Sequence, residues 1–220
     1  MKQFFDEWGD SIWTATVQTF QMVSVAFLIS VVIGMLLSIL LVLTRPNQRF
    51  ANKFVYEVLN VIINIIRSIP FIILLFLILP FTKLVVGTTI GVKGVMVPLV
   101  VYTAPFIARL MESALLEVDR GVIEAYEAMG IKTSKVIWHV LLREARPSIV
   151  LGLAIAMIGL IGATAMAGLV GGGGLGDLAY RYGFLRYEAE VMYVTVLILI
   201  ILVQGVQSLG NWVAARIKKD

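Results

Sequence analysis

At 220 residues, 60% of them hydrophobic and 15% charged, with a mean hydropathy of +0.95, the chain falls outside the range of soluble domains, where charged residues make up roughly a quarter. It has no cysteine, which removes disulfides, thiolate metal sites and cysteine nucleophiles. Its net charge of +4 is spread over short polar stretches rather than a basic stripe with interleaved aromatics, so nucleic acid is excluded as a partner and the charge reports membrane orientation.

In chain order, residues 1–11 (MKQFFDEWGDS) set Asp6, Glu7 and Asp10 against Lys2, unlike the basic start of a signal peptide, and are expected as an extracytoplasmic tail. Apolar runs long enough to cross a bilayer, which takes about 20 residues, then follow. The first lies at Val23 to Leu43, with Gly34 and Ser24, Ser30 and Ser38 as its few small or polar members. A second is expected from Phe54 to Leu79. It contains Arg67-Ser68-Ile69-Pro70, where Pro70 should kink or start a helix. Arg67 has two readings here: an intramembrane functional cation, or the interfacial edge of a span that starts near Pro70, with Asn60 and Asn64 on its polar side. Pro80 to Gly94 reads as an extramembrane connection. The third span, Val95 to Leu116, holds Pro98 and Pro105, and its Arg109 and Glu112 have the spacing of an ion pair on one helix face. The fourth, Ile149 to Val170, carries the row Gly159, Ala163, Ala167, Gly171, a face for close helix approach within the chain or against a second copy. The fifth is expected at Val191 to Leu209. With five spans, Arg45, Arg49, Lys53, Arg120, Lys132, Lys135, Arg143, Arg146, Arg216, Lys218 and Lys219 fall on one side. Lys2, Lys83, Lys93, Arg181 and Arg186 fall on the other. The positive-inside rule then puts the N-terminus outside and the C-terminal tail, 210–220, in the cytoplasm.

The cytoplasmic side also receives the one long polar interruption, residues 117–147. It reads as two short amphipathic helices. The first ends at Gly130, in the position after a helix where glycine is favoured. The second is capped by Thr133 or Ser134 and shows an apolar face of Val136, Ile137, Val140 and Leu141. Such helices need a cover, either the lipid surface or a groove in a partner; Glu124 and Glu127 disfavour anionic lipid, so a protein groove is expected.

No chemistry of the chain's own is evident. Gly171 to Gly176 matches a dinucleotide-binding pattern by letter, but follows a membrane span instead of a strand, so it is read as tight turns and close backbone contact. His139, the only histidine, has no metal-ligand spacing and is read as structural. The spans lack the buried carboxylate or histidine relays of proton-coupled carriers. The architecture of a transporter is present without an energy source.

At this point the residues carry a resemblance. Glu124-Ala125 followed by Gly130, in a loop between late spans, resembles the cytoplasmic signature of binding-protein-dependent ABC importer permeases. A narrower likeness, to the bacterial methionine-import permeases, rests on Arg67-Ser68-Ile69-Pro70-Phe71, Ile78-Leu79-Pro80-Phe81-Thr82, Ala104-Pro105-Phe106-Ile107-Ala108-Arg109 and Ala114-Leu115-Leu116-Glu117. The resemblance implies an all-α polytopic fold of the type I importer permease class, one permease domain over 12–209, and docking of an ATPase through Glu124, Ala125, Glu127, Ala128 and Gly130. It also implies a second copy of the chain, two ATPase subunits that hold Mg-ATP, an extracytoplasmic substrate-binding protein, and a bacterial inner-membrane location among lipids. The family places a gate methionine at the position of Met166, a residue that by itself reads as span packing. Where the family's loop ends in proline this chain has Arg143, with Pro147 expected to end the helix instead. A permease for another small nutrient and a non-transporting membrane scaffold stay open as other readings.

Overall fold

The computed structural model describes residues 2–46 and 50–218, without the side chains at 2, 3, 5, 120, 123, 124, 127, 133 and 134. Arg49 and Lys219, both counted above on the basic side, lie outside the described residues. All regular structure in the described part is helical.

The first helix, α1, runs unbroken from Lys2 to Thr44, 43 residues, or roughly 60 Å at the helical rise, about twice the hydrocarbon thickness of a bilayer. The stretch expected as a tail is therefore its opening turns. The reason is local amphipathicity: Phe4, Trp8 and Ile12 recur at helical spacing and pack on Leu175, Leu178 and Val191, with Trp8 meeting the Tyr182 ring edge-on at 4.9 Å.

The second span is broken. Helix α2 (Lys53–Ser68) begins at Asn52, whose side chain accepts the Val55 N–H at 3.1 Å. It ends at Ile69, held extended at φ −87°, ψ 123° by the proline that follows. Helix α3 (Phe71–Leu77) then leaves at 107° to α2. The expected connection after it contains a further helix, α4 (Leu79–Val86), stopped by Gly87. Among the described residues, four helices are thus long and apolar enough to cross a membrane, and the α2–α3 pair makes a fifth crossing if the bent pair is one span.

The centre is α5 (Gly91–Leu116). Over half of its most apolar stretch is buried within the chain, against about a tenth for the last helix, α11 (Ala189–Ile217), which is left for lipid or a partner. Met22 and Ala26 of α1, Phe71 and Leu75 of α3, Val95 and Leu99 of α5 and Leu160, Ala163 and Ala167 of α9 (Arg146–Gly168) form the main core. Pro98 and Pro105 are buried within the chain, the setting in which a membrane helix tolerates proline. The small-residue row divides: Ala163 and Ala167 seat inside the chain, whereas Gly159 and Gly171 remain exposed.

At the glycine-rich exit of α9 the expected close contact is present. Gly168 lies against the backbone of Gly176 and Asp177, and Gly176 against that of Ala165, so a side chain at either would collide with main chain. Helix α10 (Gly174–Leu178) and a π-helical turn, Ala179–Phe184, complete this end and lead into α11.

Candidate functional site

The polar interruption folds as α6 (Arg120–Ala128), α7 (Thr133–Val136), a π-turn (Ile137–Leu141) and α8 (Leu142–Glu144). Asp119 starts α6 by accepting the Gly121 N–H at 2.6 Å. Its end is the one the sequence indicates: Gly130 sits at φ +71°, and the Ile131 N–H reaches back to the Tyr126 carbonyl at 3.3 Å, the long bond of a Schellman turn. Of the five residues expected to dock an ATPase, Ala125, Ala128 and Gly130 are exposed; the side chains of Glu124 and Glu127 lie outside the described residues, as do those of Thr133 and Ser134.

One expectation changes. The apolar face of the second short helix is not free: Val136, Val140 and Leu141 are buried, and Leu141 packs with Val42 of α1 and Leu115 of α5. What remains open is a stripe on α6, Val122, Tyr126 and Met129, with Trp138 beyond it; Met129 is 65% and Trp138 59% exposed. Sequence reasoning missed both. Residues 122, 126 and 129 fall on one face by helical spacing, but spacing does not tell that the face of the second short helix is already covered. Arg143 is exposed, and the chain continues helically through it to Glu144, turns at Ala145 and restarts, with Pro147 in the first turn of α9. Proline there begins the next helix rather than ending the previous one, since its missing N–H is no loss in a first turn. Glu117 accepts the Ser148 hydroxyl at 2.7 Å and ties the start of α9 to the connection before α6. Around His139, Arg143, Arg146 and Lys218 lies an open cleft of about 700 Å³.

Within the spans, Arg109 and Glu112 pair at 2.6 Å, with Glu112 only 5% exposed. The arginine does more than expected: its second nitrogen donates to the side-chain oxygens of Asn60 and, at 3.0 Å, Asn64, both on α2. The two asparagines therefore serve Arg109. Arg67 stands in the last turn of α2, exposed, with its guanidinium 5.9 Å from the Phe106 ring centre. Among the described residues it has no ion pair and no hydrogen bond.

Met166 is not packed in the core; it is 48% exposed. It belongs to a stripe on α9 made by Ile155, Gly159, Gly162, Met166 and Leu169, all exposed, and a side-chain carbon at Gly162 would meet nothing within 4 Å. The structure thus separates two surfaces: a partly apolar one at the end of α6, and a lengthwise one shared by α9, α2 and α5, joined where Phe106 lies beside both Arg67 and Gly159.

Comparison with known proteins agrees with this layout. The chain is 45% identical over 215 residues, 98% of its length and 96% of the relative's, to a probable D-methionine transport system permease protein MetI of Vibrio cholerae. It is 44% identical over 208 residues, 94% of each chain, to the methionine import system permease protein MetP of Bacillus subtilis. Its fold matches that of a chain in an inward-facing crystal form of the MetNI methionine ABC transporter, with a TM-score of 0.91 and 44% identity over 94% of this chain and 95% of the other. A chain of an amino acid ABC transporter crystallised with histidines shares the fold, with a TM-score of 0.80 at 18% identity, covering 96% of each chain. The fold is therefore that of a type I importer permease. The sequence pattern of the binding-protein-dependent transport system inner membrane components matches residues 30–219, and the chain belongs to that family.

Proposed function

We propose that this chain is the membrane-spanning subunit of an ATP-driven importer that carries methionine and close analogues into the cell by alternating access. The observation that carries the reading is the 44–45% identity to methionine permeases along nearly the whole chain. Two copies would enclose the pathway. In support, the α9 stripe around Met166 is open in one copy and rich in glycine, which permits a second helix to approach closely. Met166 then closes the path as a gate.

Energy would arrive from two partner ATPases, which hold the Mg-ATP and grip α6 through Ala125, Tyr126, Ala128 and Met129, with Glu124 and Glu127 on the same helix. The burial of Leu141 against Val42 and Leu115 supports a stiff linkage. Movement of the docked helices is carried to the polar ends of α1 and α5 without slack. The Glu117–Ser148 bond extends the linkage to α9, on which Met166 sits. The lysine and arginine distribution supports an N-terminus outside and α6 in the cytoplasm. Delivery would come from an extracytoplasmic substrate-binding protein on the opposite side.

The test is uptake of labelled methionine into proteoliposomes that hold this chain with its ATPase, the binding protein being supplied outside. ATP-dependent uptake, competed by unlabelled methionine and not by unrelated amino acids, is the expected result. Uptake that persists without ATP on an ion gradient, or ATP-dependent uptake of a different nutrient only, overturns the proposal.

A further inference from the structure

We infer that Arg67 is the substrate's contact in transit: its guanidinium receives the α-carboxylate of the amino acid, while the thioether side chain runs along Phe106 and the α9 stripe toward Met166. The inference rests on the methionine-import reading above and names a residue of the pathway that it leaves unassigned.

Four observations carry it. First, α2 has a continuous polar stripe, Lys53, Glu57, Asn60, Asn64 and Arg67, at helical spacing, while Val58, Val61, Ile62 and Ile65 are exposed on another face. In a membrane the apolar face takes the lipid, so the polar stripe is turned to protein or water. Second, the stripe's two cations differ in state. Lys53 stands at the helix start, at the polar end of the bundle. Arg67 lies 14 residues further on, or about 20 Å at the helical rise, deep for a charge. Third, the other arginine of this region is saturated, because Arg109 is held by Glu112, Asn60 and Asn64. Arg67 has only the face of Phe106, 5.9 Å away, and its donors are free among the described residues. A guanidinium in that condition is matched by a carboxylate, which can take two parallel hydrogen bonds.

Fourth, depth agrees along two independent helices. Both α2 and α9 begin at the polar end: the Asn52 N–H bonds the Thr44 carbonyl at 3.0 Å at the foot of α1, and Ile149 packs beside Val42. Gly159 lies 13 residues into α9, again about 20 Å, and the space at its Cβ position is 3.8 Å from the Phe106 ring. Met166 is two turns further, about 10 Å beyond. A free amino acid is shorter than that interval plus its side chain's reach. A substrate past Met166 therefore meets Arg67 with an aromatic face and a glycine-lined groove beside it, and a thioether is well suited to an aromatic edge. The amide oxygens of Asn64 and Asn60, one and two turns below Arg67, are occupied by Arg109, so Arg67 is the only free cation at this level among the described residues.

The chain contains no cysteine, so a thiol introduced at 67 is the only one on this chain, and the complex without it serves as the control for thiols of its partners. In proteoliposomes with the ATPase and binding protein, Arg67→Cys is expected to lower methionine uptake at least tenfold while ATP hydrolysis continues. Modification of the thiol with an aminoethyl reagent, which restores a cation, is expected to recover much of the uptake, and a sulfonatoethyl reagent to recover none. In the detergent-solubilised complex the thiol should react with the water-borne reagents. Excess methionine should slow that reaction several-fold, and methioninamide, which lacks the carboxylate, should not. A thiol that is inert to both reagents, that is protected equally by the amide, or that leaves uptake unchanged overturns the assignment. If the cysteine variant does not assemble, Arg67→Lys and Arg67→Gln replace it: a several-fold loss for lysine and at least tenfold for glutamine are expected, and equal uptake by glutamine and wild type overturns it. Failure of methionine uptake in the wild-type complex is a separate outcome, since it strikes the proposed function and is seen before any variant is made.

Discussion

The two ends of this bundle solve the same problem differently. At the glycine-rich end, backbone N–H groups of Gly174 and Leu175 are taken by the side chains of Gln18 and Thr19 of α1, and α9 and α10 meet with main chain touching main chain. At the polar end the inner layer is packed, with Val140 and Leu141 buried and Glu117 bonded to Ser148, but the outer layer leaves Met129 and Trp138 bare. Both ends leave aromatic side chains bare, Phe184 and Tyr187 at the first and Trp138 at the second, and such surface is prepared for a partner; what sets the glycine-rich end apart is the main-chain contact beneath it.

The largest effect that would test this division lies just inside the polar end. Glu112→Ala leaves Arg109 partly buried without its carboxylate, which costs about 3–5 kcal/mol when one member of such a pair is lost. Thermal unfolding in detergent should fall accordingly, and Glu112→Gln, which keeps an acceptor, should fall less. An unchanged melting temperature for the alanine variant would show that the α2–α5 contact is not held by this pair. Second comes Gly176→Val at the other end. The new side chain collides with the Ala165 backbone, which has no rotamer to yield, so a loss near the upper end of the usual overpacking range, about 3 kcal/mol, is expected. Expression without loss of stability would mean that the end is looser than its contacts imply.

Gly130→Val separates shape from coupling. At φ +71° a β-branched residue costs about 1–2 kcal/mol locally, too little to unfold the bundle. Yet it redirects α7 relative to α6. ATP hydrolysis should continue while uptake is lost; uptake at the wild-type rate would remove α6 from the coupling path. Met129→Ala is smaller again. No stability change is expected in the isolated chain, because the side chain touches so little, while affinity for the ATPase should drop about tenfold, or 1.4 kcal/mol. Equal binding by variant and wild type would leave the bare surface without a role.

These differences also mark what the sequence could disclose. The Arg109–Glu112 pair was legible because its partners are three residues apart, and Gly130 because a helix end needs its left-handed backbone whatever lies around it. The third partner, Asn60, is 49 residues away, and no local pattern links it to Arg109. The buried face of the second short helix was read correctly as apolar but assigned to a partner, since Val42 and Leu115, which cover it, lie far off in the chain. Pro70 announced a break, but the 107° angle comes from how α3 packs Phe71 and Leu75 into the core. Residues 1–11 look like a tail by charge; the helix from Lys2 is accompanied by packing of Phe4 and Trp8 on Leu175 and Leu178, which lie far off in the chain.

The closed end can also be tested at single bonds, where the difference between two neighbouring acceptors is what matters. Gln18 accepts the Gly174 N–H at 2.8 Å, and Thr19 accepts the Leu175 N–H at the same distance while donating to the Ala15 carbonyl at 3.0 Å. The two acceptors are neighbours in sequence yet differ in surroundings. Gln18 lines a cleft of about 290 Å³ with Asp10, Ser11 and Arg181, so water can replace its carbonyl when it is removed. Thr19 and Leu175 are both fully enclosed, so an N–H orphaned there stays orphaned. Gln18→Ala should therefore cost about 1 kcal/mol, the ordinary net worth of a hydrogen bond, and Thr19→Val up to about 3, the desolvation penalty of an unmet donor. Chemical or thermal denaturation of the pair reads the difference directly. Equal losses would mean that water reaches Leu175 as readily as Gly174, and that this end is open after all.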